Sequence, residues 1–299
     1  MMKEVLTTAI AFVVFFSIPV VAQNHSSSSA VAGSICITFD DLPVAQIADR
    51  IERLKITEDI LEALDELNIS ATGFVVGSEI GSDKDILISW LEAGHTLGNL
   101  TYSCPDLNEL PPEFFIGDIE KGGNAIESLL IKFGQKKRYF RYPYLHYGND
   151  PKTKKVVADY LSRNGYKVGH VTVNSDDFAY NLQYEKVRQG SDSLEQVRLG
   201  NEYIDHVIGQ LENAEKRADE IVGHPIRQIL LLHVNRLNSV YLPDLLSEIK
   251  LRGYSFISMG KALADPIYSE SETYVGPKGL SYLERIDTAN ADFLPAREK

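Results

Sequence analysis

Short apolar runs alternate along this chain with longer stretches of helical periodicity. Ile35-Cys36-Ile37-Thr38-Phe39 is apolar or β-branched throughout and stops at Asp40-Asp41 and Leu42-Pro43, as a buried strand would. From Ile51 to Leu67, residues Ile51, Leu54, Ile60, Leu61, Leu64 and Leu67 recur at helical spacing among charges. Ala71 to Val76 is a second strand, and Asp85 to Ala93 a short helix stopped by Gly94. His95 to Gly98 is a third strand, running into the loop Asn99 to Leu107. Phe114 to Phe133 fits a helix weakened by Gly122-Gly123. Arg138 to Arg141 is a strand broken at Pro143, Pro151 to Arg163 a helix, and Lys167 to Val173 a strand. Ser193 to Ile221 is the longest helical pattern. It opens on the capping pair Ser193 and Gln196 and carries an apolar stripe of Leu194, Val197, Ile204, Val207, Ile208, Leu211 and Ile221, with Leu194, Val197, Ile204, Leu211 and Ile221 expected to pack on the barrel. Ile229 to Leu232 is a strand ending in His233, Leu242 to Leu251 a helix closed by Gly253, and Ser255 to Met259 the last strand. Such alternation predicts a parallel α/β sheet covered on both faces. About seven units favour a barrel, complete or not, over an open sheet. In parallel folds ligands bind at the carboxyl ends of strands, so Asp40 and Asp41 are expected at the mouth of a pocket.

The N-terminus reads differently. Lys3 precedes an apolar run from Ile10 to Val21, and Val20 with Ala22 makes a small-residue cleavage site before Gln23. Residues 1–22 are therefore expected to be a secretory signal, too short in its apolar run for a membrane span. Residues 23–33, with Ser26 to Ser29, read as a flexible leader. The expected location is secreted or periplasmic, with no integral membrane association after cleavage. The net charge of −12 disfavours nucleic acid as a partner. Only Cys36 and Cys104 are present, and they are not expected to pair. Cys36 lies about 16 Å along a strand from Asp41, beyond bridging distance of a Cys104 near that carboxylate.

Chemistry-bearing residues close the successive strands: Asp40-Asp41, the loop Leu100 to Cys104, Arg141-Tyr142-Pro143-Tyr144, Asp177-Phe178 and Leu231-Leu232-His233. In order and spacing these segments resemble the polysaccharide deacetylases of carbohydrate esterase family 4, over about Ile35 to Met259. The resemblance implies a distorted (β/α)7 barrel spanning 34–265, with 266–299 as a C-terminal extension. It implies a carbohydrate deacetylase, a hydrolase acting on C–N bonds other than peptide bonds, that removes acetyl groups from N-acetylated or O-acetylated sugars. The partner would be an acetylated polysaccharide or oligosaccharide. By the same resemblance, Asp40 matches the general base and Asp41 a metal ligand. Arg141 matches the arginine that orients the base, Asp177 the acid that pairs with that arginine, and His233 the general acid. Tyr144, Phe178 and Leu231 match substrate-pocket residues; Phe178 stands where the family usually has Trp, and the Tyr144 amide would help hold the oxyanion. The residue types suit amide hydrolysis, which needs an activated water, a stabilised oxyanion and a protonated leaving amine.

One motif departs. The family's second motif is His-(Ser/Thr)-x-x-His, and both histidines bind a divalent metal, zinc or cobalt. Here it reads Leu100-Thr101-Tyr102-Ser103-Cys104. Leu100 cannot coordinate; Cys104 could as a thiolate. His95, His146 and His170 are the candidate substitutes. Two classes of function follow: a hydrolase with a degraded metal site, or a carbohydrate-binding protein on the same barrel with little or no catalysis. A glycosidase using Asp40 and Asp177 is a weaker third reading, because Arg141 accounts for Asp177.

Overall fold

A computed structural model describes residues 33–293, apart from 45–46, 137, 191 and 271. The expected signal segment lies outside them, as does all but the last residue of the leader. The order is β1 (Ser34–Leu42), α1 (Arg50–Glu66), β2 (Thr72–Val75), α2 (Lys84–Glu92), β3 (Thr96–Asn99), α3 (Pro112–Lys132), β4 (Arg138–Phe140), α4 (Pro151–Arg163), β5 (Tyr166–Val168), β6 (Val173–Asn174), α5 (Asp177–Gln189), α6 (Ser193–Val222), β7 (Arg227–His233), α7 (Arg236–Leu251), β8 (Ser255–Phe256), α8 (Met259–Ala262) and α9 (Tyr282–Phe293). The strands run parallel in the order β5-β4-β3-β2-β1-β7-β6, with β8 against the start of β1. They curl into the distorted (β/α)7 barrel that the sequence predicts.

β1 is the central stave, buried along nearly its whole length. Its apolar run has no alternation because both faces are covered. Phe39 meets the Trp90 ring edge-on at 5.4 Å, in a core that also takes Ile60 and Leu64 of α1 and Leu242 and Leu245 of α7. Gly122-Gly123, unfavourable inside a helix by about 1 kcal/mol each, has a packing reason. A Cβ on Gly122 would lie 2.4 Å from the Thr101 backbone, and one on Gly123 2.4 Å from the Tyr166 hydroxyl. Glycine lets α3 press directly on the Leu100–Cys104 loop.

Two expectations change. Lys167 to Val173 is not one strand: β5 and β6 are separate, do not pair with each other, and leave the barrel open between them. α6 has the expected span, and Val207, Ile208 and Leu211 of its expected stripe are buried, but the first turn of that stripe faces outward. Leu194 and Val197 are 83% and 54% exposed, while Leu199, Tyr203, Val207, Leu211, Ala214 and Ala218 are buried. Tyr203 was passed over as a core position, yet its hydroxyl donates to Asn238 at 2.7 Å, and Gly200 beside it receives the Tyr241 ring. The described part of the expected C-terminal extension, 266–293 apart from 271, packs on the barrel. Ile267, Tyr282 and Leu283 enter the main core, and the Tyr282 amide donates to the Val171 carbonyl at 2.6 Å, in the gap between β5 and β6.

Candidate active site

The β1–β7 register pairs Asp40 with His233, which sets an acid and an imidazole side by side at the carboxyl ends of adjacent strands. Arg141 follows β4 and is fully buried. Its Nη1 donates to Asp40 Oδ1 at 3.2 Å and its Nη2 to Thr38 Oγ1 at 3.0 Å, and the guanidinium lies 4.4 Å from the Phe74 ring centre. Thr38 in turn donates to the Leu230 carbonyl at 2.6 Å. Asp40 is thus held in direction by a fork whose other tine is also occupied. Burial pushes the Asp40 carboxyl up to about 6, against the pull of Arg141 and His233.

Asp177 does not pair with Arg141, as expected, but with His233. Its Oδ1 meets His233 Nδ1 at 2.6 Å; its Oδ2 accepts from the His233 amide at 2.8 Å, Asn235 Nδ2 at 3.0 Å and Asn238 Nδ2 at 2.6 Å. Ser175 Oγ adds a contact to Oδ1 at 3.1 Å. The physical reason is position. Asp177 opens α5 and faces the first turn of α7, whose N-cap Asn235 and following Asn238 supply amide donors, and a carboxylate saturated there has no geometry left for Arg141. Burial alone would lower the His233 imidazole, but Asp177, with Asp41 and Asp40, reverses it and holds it up at about 10. Asp177 moves the other way: burial raises it, and His233 more than compensates, leaving it below its usual value. The site therefore contains two couples, Asp40–Arg141 and Asp177–His233. So engaged, Asp177 is not a free glycosidase acid.

Asp41 adopts a left-handed backbone (φ 65°) at the irregularity between the Phe39–Gly73 and Leu42–Val75 pairs of β1 and β2, and burial raises its carboxyl. Thr101, Cys104, Tyr144, Leu145 and Asp176 also have positive φ, a concentration of backbone strain in the loops at one end of the barrel. The Leu100–Cys104 loop is held by Asp118 of α3, whose Oδ2 accepts from the Tyr102 and Ser103 amides at 2.8 Å each. Thr101 Oγ1 accepts from the Cys104 amide at 3.0 Å. Tyr144 and Phe178 are 61% and 56% exposed, and Phe178 meets the His233 ring edge-on at 6.4 Å. Leu231 is buried beneath them in an apolar cluster with Leu107, Phe140 and Leu145.

The residues in the metal-motif positions do not fit a divalent ion. Leu100 has no donor atom and is packed with Cys36, Phe74, Val76 and Ile229 in the barrel interior. Burial, then Asp41 and Asp40, push the Cys104 thiol up to about 12, so it does not ionise near neutrality. The substitute histidines are engaged elsewhere. His95 lies at the amino ends of the strands, where its Nδ1 accepts from the Ala71 amide at 3.2 Å, and burial lowers it to about 4. His146 pairs with Asp106 at 2.8 Å. His170 lies among Tyr147, Tyr268 and Tyr282, and its Nδ1 accepts from Arg285 at 3.3 Å. Among the described residues no group of three or more His, Cys, Asp or Glu side chains could hold a metal ion. Both cysteines are free.

The sequence pattern of the family described as polysaccharide deacetylase matches residues 28–169. That stretch is just under half of the chain. A protein of Arthroderma benhamiae, described as a probable peptidoglycan-N-acetylglucosamine deacetylase, is 24% identical over 243 residues; the match covers 80% of this chain and 46% of that one. The chain thus spans about half the length of that relative. A chitin deacetylase of Colletotrichum lindemuthianum is 22% identical, with 78% of this chain and 80% of that one matched. Among solved structures, a wild-type CE4 family pseudoenzyme from Bacillus anthracis superposes with a TM-score of 0.53 at 17% identity, covering 78% of this chain and 66% of that one. Two of these three proteins are described as deacetylases and the third as a pseudoenzyme.

Sequence reasoning missed Thr38, Ser175, Asn235 and Asn238. The last two had a signal: Asn235-x-x-Asn238 directly after Leu231-Leu232-His233 is a helix start, and an asparagine pair there can grip a carboxylate as well as cap.

Proposed function

We propose that this chain is an exported polysaccharide deacetylase-like protein that engages acetylated polysaccharide at the carboxyl mouth of its barrel and hydrolyses it weakly, because the family's metal site is degraded. The observation that carries this is a contrast within one site. Asp40–Arg141 and Asp177–His233 are both in place, while Leu100, where a metal-binding histidine is expected, is sealed in the apolar interior.

Asp40 would take the proton from a water as its oxygen attacks the acetyl carbon. Arg141 keeps the accepting oxygen aimed and the carboxylate charged. His233, protonated because of Asp177, would deliver a proton to the sugar nitrogen as the C–N bond breaks, giving acetate and an amine. The Tyr144 amide would support the oxyanion, and the exposed Tyr144 and Phe178 rings offer faces on which sugar rings stack. With no Lewis acid on the carbonyl, a large contribution to the rate is missing. Export rests on residues 1–22, which lie outside the described residues. The second reading, binding without turnover, is favoured by the same Leu100.

Acetate release from acetylated chito-oligosaccharides and acetylated xylan, measured beside affinity for the same sugars, tests the proposal. Binding with slow or no release supports it. Absence of binding to either polymer would sink it.

A further inference from the structure

The gap between β5 and β6 is filled from the C-terminus, and that filling reaches the site. Arg285 of α9 is fully buried. Its guanidinium lies 3.6 Å from the centre of the Tyr147 ring, donates to the Leu280 carbonyl at 2.8 Å and to His170 Nδ1 at 3.3 Å, and stands 3.2 Å from Glu272. Glu272 also pairs with Lys154 at 2.7 Å, and Lys154 donates to the Tyr274 carbonyl at 2.7 Å. These bonds tie 272–285 to the start of α4 and to Tyr147. Tyr147 in turn packs on Tyr142 at 4.3 Å between ring centres, next to Arg141 in the chain. Nε lies at ion-pair distance from Glu272 without a hydrogen bond, and the buried charge is costly to separate from the partners it has.

The same segment touches the site loop at a second point. A Cβ on Gly279 would lie 2.1 Å from the Tyr144 carbonyl oxygen and 3.5 Å from the His146 ring. Only glycine allows the two backbones this close, and the φ of Gly279 is not in the left-handed region, so the demand is for space alone. Tyr144 and Leu145, on the other side of the contact, hold left-handed conformations that a side chain rarely adopts (φ 57° and 55°). Such a backbone persists only where its surroundings over-determine it.

We propose that the C-terminal segment is a positioning element of the site: Arg285 fixes Tyr147, Gly279 fixes the Tyr144 carbonyl, and together they set the Arg141–Tyr147 loop against the barrel mouth. What the loop is for rests on the function proposed above; its placement does not. The site carries its own reporter, since the Tyr144 hydroxyl lies beside the Cys104 thiol, whereas Cys36 is fully buried in the barrel interior.

The test is the alkylation rate of each cysteine in the full chain at mildly alkaline pH, resolved by peptide mass spectrometry, for wild type, Gly279→Ala and Arg285→Lys. The lysine keeps the charge but loses the stacked face and the fork. Cys104 is expected to react about tenfold faster in both variants while Cys36 stays protected and unfolding stays cooperative, as for a local opening. Unchanged Cys104 reactivity in the folded variants would overturn the proposal. So would parallel exposure of Cys36 and Cys104, which would mean general loosening. Should Arg285→Lys fail to fold, Gly279→Ala decides alone. Affinity for chito-oligosaccharide, measured in parallel, should fall in both variants. If wild type binds no sugar, the proposed function fails while the cysteine readout still stands or falls by itself.

Discussion

At the scale of residues, the proposed chemistry rests on His233 and Asp40 having displaced titrations. The folded His233 sits at about 10 against an ordinary 6.5. Its pairing with Asp177 therefore stabilises the fold fully below about 6.5, and that contribution is lost as pH rises through about 10. NMR of the imidazole should show it protonated and fixed from pH 6.5 to 9; a titration near 6.5 would contradict the pairing. Asp40, raised from 3.8 to about 6, favours the fold below 3.8 and loses that contribution as pH rises through about 6. Any acetate release should accordingly rise with pH through about 6. Arg141→Ala removes the cation that opposes burial, so Asp40 should titrate still higher and turnover should fall on the order of a hundredfold. Wild-type turnover in that variant would mean that Asp40 is not the base. The strand-end residues were legible because each closes an apolar run. The partner of Asp177 was not, because pairing depends on which helix start faces the carboxylate, and no spacing encodes that.

At the scale of elements, spans were legible and faces less so. α1 to α4 lie within two residues of where periodicity and stop residues place them, because glycine, asparagine and proline punctuate them. In α6 more than one row of residues could face inward, and counting only aliphatic side chains selected Leu194 and Val197 at the expense of Tyr203 and Gly200. α7 begins six residues earlier than read. Asn235 caps it, with Oδ1 accepting from the Asn238 amide at 2.9 Å, and the helix runs through Pro243. β5 and β6 were read as one strand because Gly169 to Thr172 offers no turn signal strong enough to break the apolar run. The corrected face of α6 has a direct consequence. Leu199→Ala or Leu211→Ala should lower the unfolding free energy by about 2–5 kcal/mol, whereas Leu194→Ala should change it by no more than about 0.5 kcal/mol. Urea unfolding of the three variants checks this, and a cost for Leu194→Ala as large as that for Leu199→Ala would put Leu194 back on the inner face.

At the scale of the molecule, the barrel mouth holds the Asp40–Arg141 and Asp177–His233 couples beside a loop with few metal donors. Asp118, Thr101 and Gly122 shape the Leu100–Cys104 loop through its backbone, so under the proposed function the deficit lies in donor atoms rather than in loop shape. In this chain Leu100→His with Cys104→His should raise metal affinity far more than either change alone, since each single variant leaves the set one donor short. The most direct measurement is metal per chain, by elemental analysis, after the purified protein is equilibrated with zinc or cobalt and desalted, with acetate release recorded on the same sample. Well under one equivalent and little acetate are expected for the unmodified chain. A stoichiometric, chelator-sensitive metal with rapid turnover would show that Asp41 and Cys104 recruit further ligands when the ion is present, and would contradict the degraded site.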